Sequence, residues 1–258
     1  MTDFTQNNED VFLTPAQAAK FLKMSLATFK KLIYQGKIKT LKTPGGHHRI
    51  RKSDLFEMVS DNTAYEISND LTNKETGEIV DELLQDLKNK QKFGHGHASS
   101  VAKISLEIAE ELNFSADELD RLKLAALLHD VGLLGISGEI LNKSIPLNNM
   151  EHFVIKTHPL IGEEIVKSVK QLNDLSRIIR QHHEWYDGEG YPDGLAKGAI
   201  YREAKVIAVA EAFDSMTAED SYQKPFSRNQ AINRIKASTG SQFDPKTVKA
   251  FAKKYPEQ

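Results

Sequence analysis

The chain has 258 residues, 40% hydrophobic and 27% charged, with a net charge of −2; this is ordinary folded-protein composition, enough for one large or two smaller domains. The absence of cysteine excludes disulfides, thiolate zinc sites and a cysteine nucleophile. Neither a run of 18 apolar residues nor a basic-then-apolar N-terminus occurs, so no membrane span or signal peptide is expected, and the expected location is cytoplasmic.

Charge divides the chain. Up to Tyr65 there are ten basic and six acidic residues, a net +4, and the remainder carries −6. Between Val11 and Ser53 no acid occurs at all, which is the electrostatic footprint of a nucleic-acid-binding module. Residues 1 to 10 are polar and expected to be disordered. Thr14-Pro15 then predicts a cap and first-turn proline for a short helix, Ala16 to Leu22. Ser25 predicts the cap of a second, Leu26 to Gln35, which Gly36 ends. The stretch from Lys37 to Ile50 alternates and turns through Pro44-Gly45-Gly46, predicting a β-hairpin wing, and Ser53 caps a third helix, Asp54 to Val59.

The string Thr43-Pro44-Gly45-Gly46-His47-His48-Arg49-Ile50, set behind two short helices, resembles the winged helix-turn-helix of the MerR and excisionase families over about Leu13 to Ser60. The resemblance implies that the second helix enters the major groove of double-stranded DNA while the wing lies along its backbone. Ser25, Thr28, Lys30 and Lys31 are the expected contacts of the recognition helix, and Lys42, Thr43, His47, His48 and Arg49 those of the wing. The plain alternative is a charge run that is only a solvated face. The domain is bounded at residues 11–60, with a polar linker at 61–76.

From Glu78, Ile79, Val80, Leu83, Leu84 and Leu87 recur at helical spacing, predicting an amphipathic helix to about Lys90. Such a stripe serves equally as core or as the seam of a homodimer, since palindromic operators are read by two-fold dimers.

Beyond it the chemistry concentrates. The stretch His182-His183-Glu184-Trp185-Tyr186-Asp187-Gly188-Glu189-Gly190-Tyr191-Pro192 sets metal-ligand types before a glycine-rich turn. Upstream lie His97, His129-Asp130 at the end of an apolar run, and His158 before Pro159; downstream Glu211 and Asp214 interrupt another apolar run. Polar groups on apolar helical faces are costly to bury unless paired or metal-bound, so several in one domain point to one shared site. The alternative is a set of separately satisfied core or surface groups.

This spacing resembles the HD-GYP family of metal-dependent phosphohydrolases, over about residues 77 to 251, including Leu141-Asn142-Lys143, Gly194-Leu195 and Gly240 to Pro245. The resemblance implies an all-α bundle at 77–258, giving a mainly α chain with a small winged helix-turn-helix at its N-terminal end. It also implies hydrolysis of cyclic di-GMP. Carried over, His97, His129, Asp130 and Glu211 would hold one divalent metal, and Asp130, His158, His182 and His183 a second. His129 and Asp130 are the residues on which catalysis would rest. Two metals sharing a bridging carboxylate suit in-line phosphoryl chemistry, and histidine with carboxylate suits iron or manganese. Glu184 and Asp187 are expected to orient the histidines from outside the ligand set, while Gly190, Tyr191, Pro192 and Lys224 line the substrate.

Four positions depart from the family pattern. Leu133 stands where a lysine would approach the phosphate, and Glu211 replaces a ligand aspartate. Phe93 occupies the position of a glutamate that accompanies a third metal, so two metals are expected. Glu219-Asp220-Ser221-Tyr222-Gln223 replaces a run with a phosphate-facing arginine; Lys205 or Lys224 are the cations able to compensate. Each missing charge-assisted contact is worth about 1.5–3 kcal/mol. The expected function is therefore a DNA-associated cyclic di-GMP phosphodiesterase. The alternatives are a nucleotide sensor controlling DNA binding, and a domain that only dimerises the DNA-binding module.

Overall fold

A computed structural model describes residues 12–21, 26–34, 36, 38–43, 45–51, 75–90, 96–218 and 225–257. The N-terminal unit carries helices α1 (Pro15–Phe21) and α2 (Leu26–Tyr34) and a three-stranded antiparallel sheet in the order β1-β3-β2. Thr14 and Gln17 cap α1 reciprocally: the Gln17 amide donates to Thr14 Oγ1 (3.2 Å) and the Thr14 amide to Gln17 Oε1 (2.9 Å). Helix α2 stops before Gly36, whose φ of +68° is a left-handed conformation that glycine adopts without strain.

Strands β2 (Leu41–Lys42) and β3 (His48–Arg51) form the expected hairpin, with Leu41 opposite Arg49 and Lys42 opposite His48. Thr43 N donates to the His47 carbonyl at 2.9 Å and closes the turn. Strand β1 (Phe12–Leu13), which pairs with β3, was not predicted; two residues are too few to show an alternation. Ala18, Ala19, Phe29, Ile33, Ile38 and Ile50 are buried and make the small core. The predicted helix at Asp54–Val59, Ser25, Phe93, Asp220, Lys224 and most of the linker lie outside the described residues.

Helix α3 (Thr76–Lys90) begins the helical unit. It is followed by α4 (His97–Ala109), α5 (Ala116–Leu128), a 3-10 turn at Val131–Gly135, α6 (Gly138–Leu141), α7 (Asn149–Ile155), α8 (His158–Ser168) and α9 (Ser176–Gln181). Helices α10 (Arg202–Thr217), α11 (Arg228–Ala237) and α12 (Pro245–Lys254) complete it. Ser115, Asn148 and Ser227 start α5, α7 and α11 with capping boxes, so three helix starts are fixed by adjacent residues alone. Helix α10 is buried around most of its circumference and packs on α4, α5, α11 and α12, which accounts for an apolar run without a polar face.

The apolar stripe of α3 settles one open expectation. Ile79, Val80, Leu83 and Leu87 are buried, and α3 packs on α5 and on the 131–135 turn. The stripe is therefore core of its own chain and not free to act as a dimer seam. No helix among the described residues is long and apolar enough to cross a membrane.

Candidate metal centre

Helix ends deliver most of the histidines. His97 is the first residue of α4, His129 follows the last residue of α5, His158 opens α8 where α7 has just ended, and His182-His183 follow α9; Glu211 alone projects from a helix interior, that of α10. The carbonyls of a helix's last turn have no intrahelical partner. Three imidazoles use this in the same way: Nδ1 of His129, His158 and His182 donates to the carbonyls of Ala126 (2.8 Å), Ile155 (2.7 Å) and Ile179 (2.6 Å). A carbonyl only accepts, so each Nδ1 carries a proton, and in the neutral imidazole Nε2 is the lone pair turned toward the others.

That arrangement calls for a cation. His129 Nε2 is buried without a hydrogen-bond partner. His158 Nε2 and His182 Nε2 stand 3.1 Å apart, two lone pairs facing each other unless a proton or metal lies between them. The potential ligand atoms form two groups, His97–His129–Asp130 and His158–His182–His183, each within 4.8 Å. Asp130 joins the groups, with Oδ2 at 3.4 Å from His129 Nε2 and Oδ1 at 3.2 Å from His158 Nε2. Glu211 Oε1 lies 3.8 Å from His183 Nε2. The sequence-predicted ligands thus converge, and the donor set fits a pair of divalent ions.

Electrostatics follow from this crowding. Burial works against charge on His129, but Asp130 and then Glu211 outweigh it and lift its pKa to about 9. Burial, then the neighbouring imidazoles, push His182 and His183 well below the usual histidine value. Glu211 rises to about 7, chiefly through burial, with the charge of Asp130 adding to it. Asp130 is held well below the usual carboxylate range: burial opposes this, but His129 and then His158 prevail.

Asp214, one turn beyond Glu211, accepts from His97 Nδ1 at 2.6 Å and from the Ser100 hydroxyl. It fixes His97 from behind, leaving Nε2 for the site. Sequence reading noticed Asp214 as a buried acid, but only the fold reveals the imidazole it orients.

Glu184 and Asp187 serve the loop instead of the histidines. Glu184 accepts from the amides of Asp193 (2.6 Å) and Leu195 (3.0 Å), and Asp187 from that of Glu189 (3.0 Å). The other half of the clamp is Arg180, which grips Asp193 through Nε (2.6 Å) and Nη2 (2.8 Å) and also meets the buried Glu163 of α8. A Cβ on Gly190 would stand 2.1 Å from the Trp185 amide nitrogen, so on that side this glycine packs on backbone; Pro192 is buried. Tyr191 does reach the cluster, its ring stacked on His183 at 4.7 Å and 24°.

Leu133 is buried, 7% exposed, and carries no charge toward the cluster. Lys205 donates to the Lys197 carbonyl at 3.4 Å. Lys156 is the cation the sequence reading missed: its ammonium lies 5.3 Å from the centre of the Tyr191 ring. The available signal was its place two residues before His158.

In the N-terminal unit Lys30, Lys31, Lys42 and His47 are exposed, while Thr43, His48 and Arg49 are half-buried. His48 Nδ1 bonds Thr40 Oγ1 at 2.7 Å and Arg49 donates to the His48 carbonyl at 3.1 Å, so both also brace the wing. The side chain of Thr28 lies outside the described ones.

The helix ends of this unit thus turn histidines and a shared aspartate inward, toward one candidate metal centre. Residues 82–247 match the family model described as HD domain, and the chain belongs to that family. Residues 12–63 match a helix-turn-helix domain. The cyclic di-GMP phosphodiesterase response regulator RpfG of Xanthomonas campestris is 38% identical over 146 residues, covering 56% of this chain and 39% of its own. The 3'3'-cGAMP-specific phosphodiesterase 3 of Vibrio cholerae is 32% identical over 177 residues, covering 69% of this chain and 37% of its own. The chain thus spans about two fifths of the length of these curated relatives. Among solved structures, Bd1817, an HDG"Y"P protein from Bdellovibrio bacteriovorus, shares the fold with a TM-score of 0.56 at 19% identity, covering 88% of this chain and 78% of its own.

Proposed function

We propose that this chain is a DNA-associated phosphodiesterase that opens cyclic di-GMP at a two-metal centre, with a DNA-binding domain at 11–60, a linker at 61–76 and the hydrolase at 77–258. The observation that carries this reading is Asp130, whose two carboxylate oxygens each face a histidine of a different group. The names of the relatives, cyclic di-GMP and 3'3'-cGAMP phosphodiesterases, support the substrate class. Two divalent ions, iron or manganese from the histidine–carboxylate donor set, would supply Lewis acidity and a water acidic enough to attack at neutral pH.

The chain's own groups do the rest. His97, His129, Asp130 and Glu211 would hold one ion, and Asp130, His158, His182 and His183 the other. The carbonyls at 126, 155 and 179 keep His129, His158 and His182 in the ligating tautomer, Asp214 does the same for His97, and these contacts limit reorganisation during reaction. Tyr191 borders the phosphate position. In the reaction a water oxygen bonds to phosphorus, a P–O ester bond breaks, and the water proton ends on the departing ribose oxygen. The test is chromatography of products from the anaerobically purified, iron- or manganese-loaded chain incubated with cyclic di-GMP and, in parallel, 3'3'-cGAMP. Linear dinucleotide or GMP that vanishes in Asp130→Ala supports the reading, and absence of turnover on both substrates refutes it.

One observation favours a second reading, a nucleotide sensor in a transcription factor. Helix α3, which follows the linker, docks on the 131–135 turn next to Asp130, and its Lys90 ammonium donates to the Leu134 carbonyl. Leu133, the uncharged residue of that turn, would slow turnover without preventing binding. Bound metal without turnover, together with DNA affinity that responds to nucleotide, would select it. DNA affinity unaffected by metal, nucleotide or Asp130→Ala would leave only a dimerisation role. The partner expectations are double-stranded DNA, a cyclic dinucleotide and a second copy of the chain, the last through a surface other than the α3 stripe.

A further inference from the structure

Phe29 and Ile33 of α2, four residues apart, turn into the small core, and the side left open to solvent carries Leu26, Ala27, Lys30, Lys31 and Tyr34. This face is apolar to an unusual degree: Leu26 is 40% and Tyr34 78% exposed. Among the described residues four of the six exposed large hydrophobic side chains, Phe12, Leu26, Tyr34 and Leu41, belong to the N-terminal unit, although it is much the smaller of the two. A single exposed leucine needs no explanation, whereas apolar groups concentrated on one small unit mark a surface that is covered when it works.

The charge of the surface says what covers it. Lys30 and Lys31 lie along the same face, and no acid occurs between Val11 and Ser53. Tyr34 meets His48 of β3 edge-on at 6.4 Å and 84°, so the far end of the face adjoins the wing, where Lys42 pairs with His48. A basic helix and wing of this kind suit the backbone of duplex DNA. A recognition helix brings its N-terminal residues to the base edges of the major groove, and the first two residues of α2 are Leu26 and Ala27. An alkyl side chain has one favourable partner there, the 5-methyl group of thymine. The other groups on the base edges are hydrogen-bond donors and acceptors, which an alkyl group desolvates without replacing their partners.

Resting on the DNA-associated reading above, we propose that Leu26 and Ala27 make α2 a reader of thymine. Their alkyl groups cover thymine 5-methyl groups in the major groove, and Tyr34, at the other end of the face, lies against the sugar–phosphate backbone.

The experiment enriches binding sites for the full chain from a randomised duplex pool. The enriched duplex is then compared with the same duplex carrying deoxyuridine in place of thymidine, which removes only the 5-methyl groups. Fluorescence anisotropy gives the affinity of wild type, Leu26→Ala, Leu26→Met and Tyr34→Ala for both. Wild type should prefer the thymine duplex by about fourfold for each methyl covered, at about 0.8 kcal/mol per buried carbon. Leu26→Ala should lose most of that preference by weakening the thymine duplex alone, Leu26→Met should keep it, and Tyr34→Ala should weaken both duplexes equally. Because both duplexes meet the same protein, a misfolded variant would lose both and does not imitate this pattern. Equal wild-type affinity for the two duplexes overturns the proposal and leaves DNA binding standing; so does a preference that persists undiminished in Leu26→Ala. A wild-type chain that enriches and binds no duplex overturns the DNA-associated reading and the proposal together.

Discussion

The wing module and the helical domain place polar chemistry on opposite sides of their surfaces. In the helical domain His129, His158, His182 and Asp214 are buried, and their partners are supplied by the chain itself: last-turn carbonyls, Asp130, and His97 for Asp214. In the wing module Lys30, Lys31, Lys42 and His47 point outward. A buried polar group must be satisfied within the fold, so its geometry is fixed before any ligand arrives. An exposed cation near a phosphate backbone needs no such preparation and acts largely through charge. The helical site is therefore sensitive to single atoms, and the wing to the number of charges.

Asp130→Ala gives the largest contrast. It removes the group between the two histidine sets, and we expect loss of both metals and a fall in hydrolysis of at least about a thousandfold, the order seen when an essential member of a catalytic unit is removed. Mass-spectrometric metal analysis and product chromatography check it; two retained metals would break the bridging assignment.

Arg180→Gln comes next. Glu163, 2% exposed, would keep Lys167 at 2.9 Å but lose the Arg180 guanidinium, and a lost hydrogen bond to a charged group costs about 1.5–3 kcal/mol. Denaturant unfolding should register this, with Asp193→Asn showing a smaller effect because its side chain is more exposed. Equal effects from the two would mean that the grip on the loop, and not the buried charge, is the dominant part.

Gly132→Ala tests the packing beside the aspartate. A Cβ there would stand 1.9 Å from the His158 carbonyl oxygen, so α8 must shift. We expect about 1–3 kcal/mol of destabilisation, as for other overpacked sites, and weaker metal retention. A stable variant with full metal would show that the His158 end of the site is more pliable than its burial suggests.

Acidity sharpens the same contrast. Ligation needs unprotonated groups; His129, at about 9, and Glu211, at about 7, hold protons that binding must release, whereas His182 and His183 are already neutral. Metal affinity should therefore fall as pH drops from about 9 through 7, with proton release on loading. Chelator competition across that range checks the sign, and a flat profile would contradict it.

The smallest effect belongs to the wing. Lys42→Ala should weaken DNA binding nearly uniformly across sequences and reduce the salt slope by about 1, with metal content unchanged. A change confined to one DNA sequence would instead make Lys42 a reader of bases.

Much of this molecule was legible in its sequence. The Thr14 cap, the hairpin turn through Gly45-Gly46, the α3 stripe and the candidate ligands are all local or motif-like, because caps, turns and periodic faces depend on residues a few positions apart. The histidine and carboxylate types, and the lack of cysteine, likewise fixed the donor chemistry. The tertiary structure alone decided the rest. It set Asp214 behind His97, 117 residues away in the chain, turned Glu184 toward the loop amides, buried the α3 stripe and brought Lys156 against Tyr191. These contacts join segments far apart in sequence, and their partners are chosen by how helices pack, which no local pattern records.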